Sequence, residues 1–231
     1  MSIRDNINEI NKRKKEAAIR VNRDPNEILL LGVTKLHSAE EINEAIDAGI
    51  TDIGENKVQE LLSKYDEVKP VRWHLIGHLQ TNKVKQIIDK VVMIHSVDSV
   101  HLAKEIDKRA EQKGIVMDIL VQINSAMEES KFGVSSNEVK LLIKEISEKY
   151  HNIRIRGIMC IPPFFDEPEM SREYFKEAKD IFYELKQVDF NKNVSLDYLS
   201  MGMSNDFEIA VEEGSNIIRV GSSIFGLRDY R

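Results

Sequence analysis

Ile28-Leu29-Leu30-Leu31-Gly32-Val33-Thr34-Lys35 decides the reading of this chain. The run has no polar alternation, which is the pattern of a strand covered on both faces, and such strands belong to parallel sheets. It closes on an ammonium. Lys35 therefore stands at the carboxyl end of the strand, where it points along the sheet or into the mouth at its end. Partial burial there disfavours the charged form, lowers a lysine's pKa and leaves an amine able to attack a carbonyl. A strand-end lysine also marks the ordinary place where a strand meets water, so the rest of the chain must decide between the two.

Working outward, the same kind of run recurs at Thr51–Gly54, Val71–Gly77, Val91–Val97, Met117–Ile123, Arg154–Ile161, Leu196–Met201 and Ile217–Gly221. A helix-like stretch follows each one. Ser38-Ala-Glu-Glu41 and Ser135-Ser-Asn-Glu138 fit the capping box, in which hydroxyl and carboxylate satisfy free amides reciprocally. Gly49 and Gly114 sit where helices would close with a left-handed residue. Ile42, Ala45 and Ile46 give one helix an apolar face; Leu102, Ile106 and Ala110 do so for a later one. Strict alternation of strand and helix argues for a parallel sheet. Eight repeats within 231 residues predict an α/β fold closed as a single (β/α)8 TIM barrel. The open doubly wound alternative lacks its cue, since no G-x-G-x-x-G follows the first strand. Residues 2–21 read as an extra polar helix ending near Asp24-Pro25, and no linker or second composition regime divides residues 1–231.

Composition removes several function classes. With 42% hydrophobic and 31% charged residues the chain can bury a full core without staples. The net charge is −6 and basic residues alternate with acids, as in Lys104-Glu-Ile-Asp-Lys-Arg109, so neither nucleic acid nor an anionic membrane is an expected partner. Cys160 stands alone, which excludes an internal disulfide framework. The N-terminus has no apolar segment of signal-peptide type and no run is long enough to span a bilayer, so a cytoplasmic setting is expected.

Barrel chemistry collects where strands end. Those ends carry Lys35, Glu55-Asn56, His78, Ser96, Asn124, Pro162-Pro163, Ser200–Ser204 and Gly221-Ser222-Ser223. Met201-Gly-Met-Ser-Asn-Asp206 leaves the seventh strand and opens a helix, with Ser204 as its expected N-cap. Arg219-Val-Gly-Ser-Ser223 leaves the eighth into a very short helix ending near Gly226. Glycine lets backbone amides approach a phosphate, and this fold repeatedly builds phosphate sites from the loops after strands seven and eight. Each motif alone is also an ordinary glycine turn with serine caps; on adjacent strands they favour a phosphate. A phosphate cradle facing a strand-end lysine suggests pyridoxal 5′-phosphate (PLP), held as an imine on Lys35. Arg219 would lie under the ring near the pyridine nitrogen. An arginine stays charged and keeps that nitrogen unprotonated, which weakens carbanion stabilisation and suits a carrier.

Six stretches carry a family resemblance: Gly32–Lys35, Gly54–Glu60, Trp73–Lys83, Gly157–Pro162, Leu199–Ser204 and Arg219–Gly226. In order and over nearly the whole chain they resemble the pyridoxal phosphate homeostasis family. The resemblance implies the barrel of the alanine racemase N-terminal domain, a PLP–Lys35 imine, and phosphate contacts from Ser204 and from Gly221, Ser222 and Ser223, with either serine able to face the phosphate. It places Asn56 near the cofactor, a role compatible with capping the helix over 57–68. Ser200 and Met201, ending the seventh strand, join the cofactor-binding set, Met201 as a contact to the ring. Lys131-Phe132-Gly133 resembles the family's loop after strand five.

The remaining candidates read more simply. His74 and His78 lie on no common helical face and no metal site is expected. His78 with Gln80–Asn82 reads as a turn and cap at the mouth, Trp73 as packing, and Cys160 as a buried small hydrophobe. The expected role is to hold PLP and supply it, with PLP-dependent apo-enzymes as recipients and no catalytic turnover. The alternative is a PLP-dependent amino-acid racemase, which needs a base on each face of the substrate. The resembled racemases draw the second base from an added β domain across a dimer; the chain stops at Arg231 soon after its eighth strand, so a monomeric carrier is expected. A Schiff-base aldolase is disfavoured by the phosphate cradle paired with Arg219.

Overall fold

A computed structural model describes residues 2–124 and 132–226. Its strands are β1 (Leu29–Val33), β2 (Asp52–Glu55), β3 (Arg72–Leu75), β4 (Met93–Val97), β5 (Met117–Ile123), β6 (Ile153–Cys160), β7 (Val194–Ser200) and β8 (Ile217–Val220). They are parallel and close in chain order, β1 pairing with both β2 and β8. The expected (β/α)8 barrel is thus the observed fold, and the strands begin and end within two residues of their expected positions. Helices α1 (Ile3–Arg20), α2 (Ala39–Asp47), α3 (Val58–Lys64), α4 (Val84–Ile87), α5 (Val100–Lys113), α6 (Val139–Lys149), α7 (Arg172–Lys186), α8 (Phe207–Glu212) and α9 (Ser222–Phe225) complete it.

Strand alternation sorts side chains into two cores. The larger lies between sheet and helices and includes Leu30, Ile53, Ile94 and Ile119. Inside the barrel, Leu31, Val33, Ile76 and Ile217 pack on one side, and Met93, Leu120 and Met159 on the other. Gly54 makes this lumen possible, because a Cβ there would sit 2.5 Å from the Leu31 side chain.

Helix α1 is less polar in use than in composition. Ser2 and Asp5 form its capping box, and it buries Ile7, Ile10, Ala17 and Ala18. It packs against α8 and α9, where the Asn6 amide donates to the Ile224 carbonyl at 2.8 Å. The capping box expected at Ser38 forms, with Ser38 extended (ψ 162°). That at Ser135 does not. The residue before α6 is Glu138, already in helical conformation, so the chain enters through a turn rather than from an extended cap. The Ser135 hydroxyl instead donates to the Glu138 carboxylate at 2.6 Å. Among the described residues no helix is long and apolar enough to cross a membrane.

Candidate functional site

The carboxyl ends of the strands surround a cavity of about 500 Å³. Lys35, Asn56, Ser204, Arg219, Gly221 and Ser222, all singled out from sequence, are on its wall. Ser200, Met201 and Ser223 are not.

On one rim, Lys35 follows β1 inside a turn whose next residue, Leu36, has φ +66°. A left-handed conformation costs a side chain of this kind about 1–2 kcal/mol and persists only where neighbours enforce it. Here they do. The Leu36 amide donates to Glu60 Oε2 at 2.9 Å. On the other side of Lys35, the Thr34 hydroxyl donates to Glu55 Oε1 at 2.9 Å, and Lys64 Nζ donates to the Thr34 carbonyl at 3.0 Å and to Glu55 at 2.8 Å. Glu55 is fully buried; burial pushes its carboxyl above the usual range, although Lys64 and Thr34 oppose it. Both neighbours of Lys35 are therefore tied to α3 and β2. Asn56 joins the wall but caps nothing, since α3 starts after Lys57 without a side-chain cap. Gly77 is required beside it: a Cβ would lie 2.3 Å from the Asn56 carbonyl.

The cradle expected across the mouth from Lys35 instead lies beside it, because β8 pairs with β1 in the closed barrel; there Ser204 is not an N-cap. Asp206 precedes α8, and its carboxylate accepts the Met203 amide at 2.6 Å. Ser204 Oγ accepts the amides of Gly221 at 3.2 Å and Ser223 at 3.3 Å, joining the loops after β7 and β8. Gly221 allows this approach, with Val33 3.2 Å from where its Cβ would be. Ser222 faces the cavity, while the Ser223 hydroxyl turns to the Ser204 carbonyl. Met201 belongs to the core outside the sheet, because it alternates with the lumen-facing Ser200; Met203 takes the wall position expected of Met201.

Arg219 forms the floor. It is 3% exposed, and its guanidinium donates to Ser200 Oγ at 2.7 Å and to the Cys160 carbonyl at 3.0 Å. Burial pulls its pKa down to about 10, which leaves it a cation at neutral pH. Ser200 thus serves the site from beneath, and Cys160 serves it through its carbonyl, a role no sequence pattern signals. The sequence reading also missed Gln122, Ile161, Phe164, Phe165 and Asp206 on the wall. His78 lines the mouth as expected but caps nothing; it stacks on Phe132 at 3.8 Å. The Phe132 carbonyl accepts from Gln122 at 3.1 Å, and Lys131 lies outside the described residues. No described group of three histidines, cysteines or carboxylates could hold a metal. Trp73 is buried packing against Tyr65.

The donor set fits a flat anionic aldehyde. The wall offers an amine, two hydroxyls and two amides now satisfied by a neutral oxygen, and Val33, Ile76 and Ile161 line the space with a buried cation.

Residues 3–229 match the family model "Alanine racemase, N-terminal domain". A pyridoxal phosphate homeostasis protein of Aquifex aeolicus is 42% identical over 232 residues, spanning all of both chains. This chain belongs to the pyridoxal phosphate homeostasis family. Among solved structures, PipY of Synechococcus elongatus PCC7942 with PLP bound superposes with a TM-score of 0.80 at 33% identity, covering 93% of this chain and 99% of PipY. An alanine racemase of Clostridium difficile 630 has a TM-score of 0.73 at 16% identity, covering 98% of this chain but 57% of the racemase; that likeness is one of fold.

Proposed function

We propose that this chain binds PLP through Lys35 and holds it for delivery to PLP-dependent apo-enzymes in the cytoplasm, acting as a single-domain, monomeric barrel without turnover of its own. The observation that supports the reading is the cavity itself, whose wall brings together Lys35, Ser204, Gly221 and Ser222 with the buried cation of Arg219. PLP supplies an aldehyde that bonds reversibly to amines and a ring that withdraws electrons. Lys35 would take the aldehyde carbon. Ser204, Ser222 and the amides of Gly221 and Ser223 would hold the phosphate, which replaces the Ser204 hydroxyl as acceptor. Arg219 would face the ring edge and, as a cation, leave the ring nitrogen unprotonated. Asn56 and Met203 would contact the ring.

Carrying is favoured over racemisation on two grounds. The full-length relatives carry the homeostasis name, whereas the racemase likeness is remote and partial. An arginine under the ring also suits a holder better than a carbanion stabiliser. The test is to load the protein with PLP, remove the excess, and add one equivalent of an apo PLP enzyme. Recovery of that enzyme's activity, with no D-alanine formed from L-alanine by the loaded protein alone, supports the reading. Sustained racemisation would replace it.

A further inference from the structure

Beneath the cavity, five side chains from five different strands form one hydrogen-bonded chain across the barrel. Arg219 on β8 meets Ser200 on β7 at 2.7 Å, and Ser200 meets His95 Nδ1 on β4 at 3.3 Å. His95 Nε2 meets His74 Nδ1 on β3 at 2.9 Å, and His74 Nε2 meets Asp52 Oδ1 on β2 at 2.8 Å. All five are 0–3% exposed. The chain ends at the amino-terminal end of the barrel, where Asp52 also accepts from Thr51 at 2.8 Å and lies 3.3 Å from Arg72.

With Asp52 ionised and both imidazoles neutral, its proton arrangement has one solution. Burial opposes the charge on Asp52, but hydrogen bonds from His74 and Thr51 outweigh it and hold the carboxyl below its usual range. An ionised carboxylate only accepts, so His74 Nε2 donates. Burial keeps both imidazoles neutral, His95 most strongly. A neutral His74 must then accept at Nδ1, which makes His95 the donor at Nε2 and an acceptor at Nδ1. The Ser200 proton goes to His95, and the Ser200 lone pair is left for Arg219.

We propose that His74 and His95 are positioning residues for Arg219: by fixing both imidazole tautomers they lock the Ser200 hydroxyl, so that Ser200 and the Cys160 carbonyl together hold the guanidinium aimed at the cavity. The consequence for ligand retention rests on the PLP reading above; the lock does not. A chain anchored on an anion at one end and a cation at the other is directional throughout, and a hydroxyl free to rotate would return Arg219 to several orientations.

The first test is nitrogen-15 NMR of the ligand-free, full-length protein. Expected are both histidines as Nε2–H tautomers and separate, slowly exchanging Arg219 Nη signals. These signals should merge in Ser200→Ala and His95→Met and separate again in His95→Gln, whose amide can donate and accept. PLP retention should fall about tenfold in His95→Met, the loss expected of one charge-assisted hydrogen bond, and recover in His95→Gln. An Nδ1–H tautomer at either histidine in the wild type overturns the lock without need of any variant. So do Arg219 signals that stay separate in His95→Met with retention unchanged. Failure of the wild type to bind PLP overturns the ligand reading instead, and the Arg219 signals still decide the lock.

Discussion

On the β1–β2 rim the backbone either side of Lys35 is tied down by ionised groups, whereas on the β7–β8 rim two amides share one neutral hydroxyl. The first arrangement costs desolvation of Glu55 and Lys64 but can enforce a left-handed Leu36 beside the amine. The second rests on one neutral acceptor, Ser204 Oγ, which turning about one bond would withdraw from the Gly221 and Ser223 amides. A covalent anchor needs a fixed direction of attack; an anion site needs donors that can change partner. In the proposed reading the two rims would divide those requirements.

Removing a charge should hurt the amine rim far more than removing the hydroxyl hurts the other. Glu55→Ala removes the nearer carboxylate from Lys64, whose side chain is 14% exposed and which keeps the Thr34 carbonyl and Glu60 at 3.8 Å, and should destabilise by about 3 kcal/mol in urea unfolding. Glu55→Leu with Lys64→Met should restore most of it; a loss below about 1 kcal/mol in Glu55→Ala would erase the contrast between the rims. The floor beneath both gives the next effect, through pH. His95 stays neutral in the fold but protonates near its ordinary pKa of about 6.5 when unfolded, so the unfolded state binds more protons and stability falls as pH drops below that value. At pH 5.5 this amounts to about 1 kcal/mol from His95 alone, and the acid limb should be shallower by that amount in His95→Gln. Equal slopes would mean that His95 is charged in the fold.

Ser204→Ala should cost about 1 kcal/mol, with little dependence on salt, because the lost acceptor is neutral. A strong salt dependence would place an ion in the cradle. Glu60→Gln should be the mildest, about 0.5 kcal/mol and reduced by salt, through a weaker hold on the Leu36 amide. No change in the salt response would remove Glu60 from the clamp.

The barrel was legible because eight apolar runs alternate with helical patterns, and the same alternation located Lys35, Asn56, Ser204, Arg219 and Gly221 at strand ends. Local pattern failed where the chain turns. Gly202, at φ +92°, redirects the backbone after β7, so Met203 rather than Met201 reaches the wall and Asp206 rather than Ser204 stands before α8. It failed again inside the lumen. His95 sits within Met93-Ile94-His95-Ser96-Val97, a run that reads as core, and its partner Ser200 is 105 residues away. Nothing within either segment signals that pairing; only barrel closure brings them together.

The most direct measurement is the absorbance spectrum of the protein with PLP, before and after borohydride, in wild type and Lys35→Ala, with peptide mass analysis of the reduced product. A PLP imine at Lys35 gives a lysine-linked band in the wild type that borohydride fixes on Lys35, and no such band in Lys35→Ala, whose far-UV helical signal should be unchanged. A wild type without the band, or a band fixed on another lysine while Lys35→Ala retains it, would contradict the claim that this barrel holds PLP at Lys35.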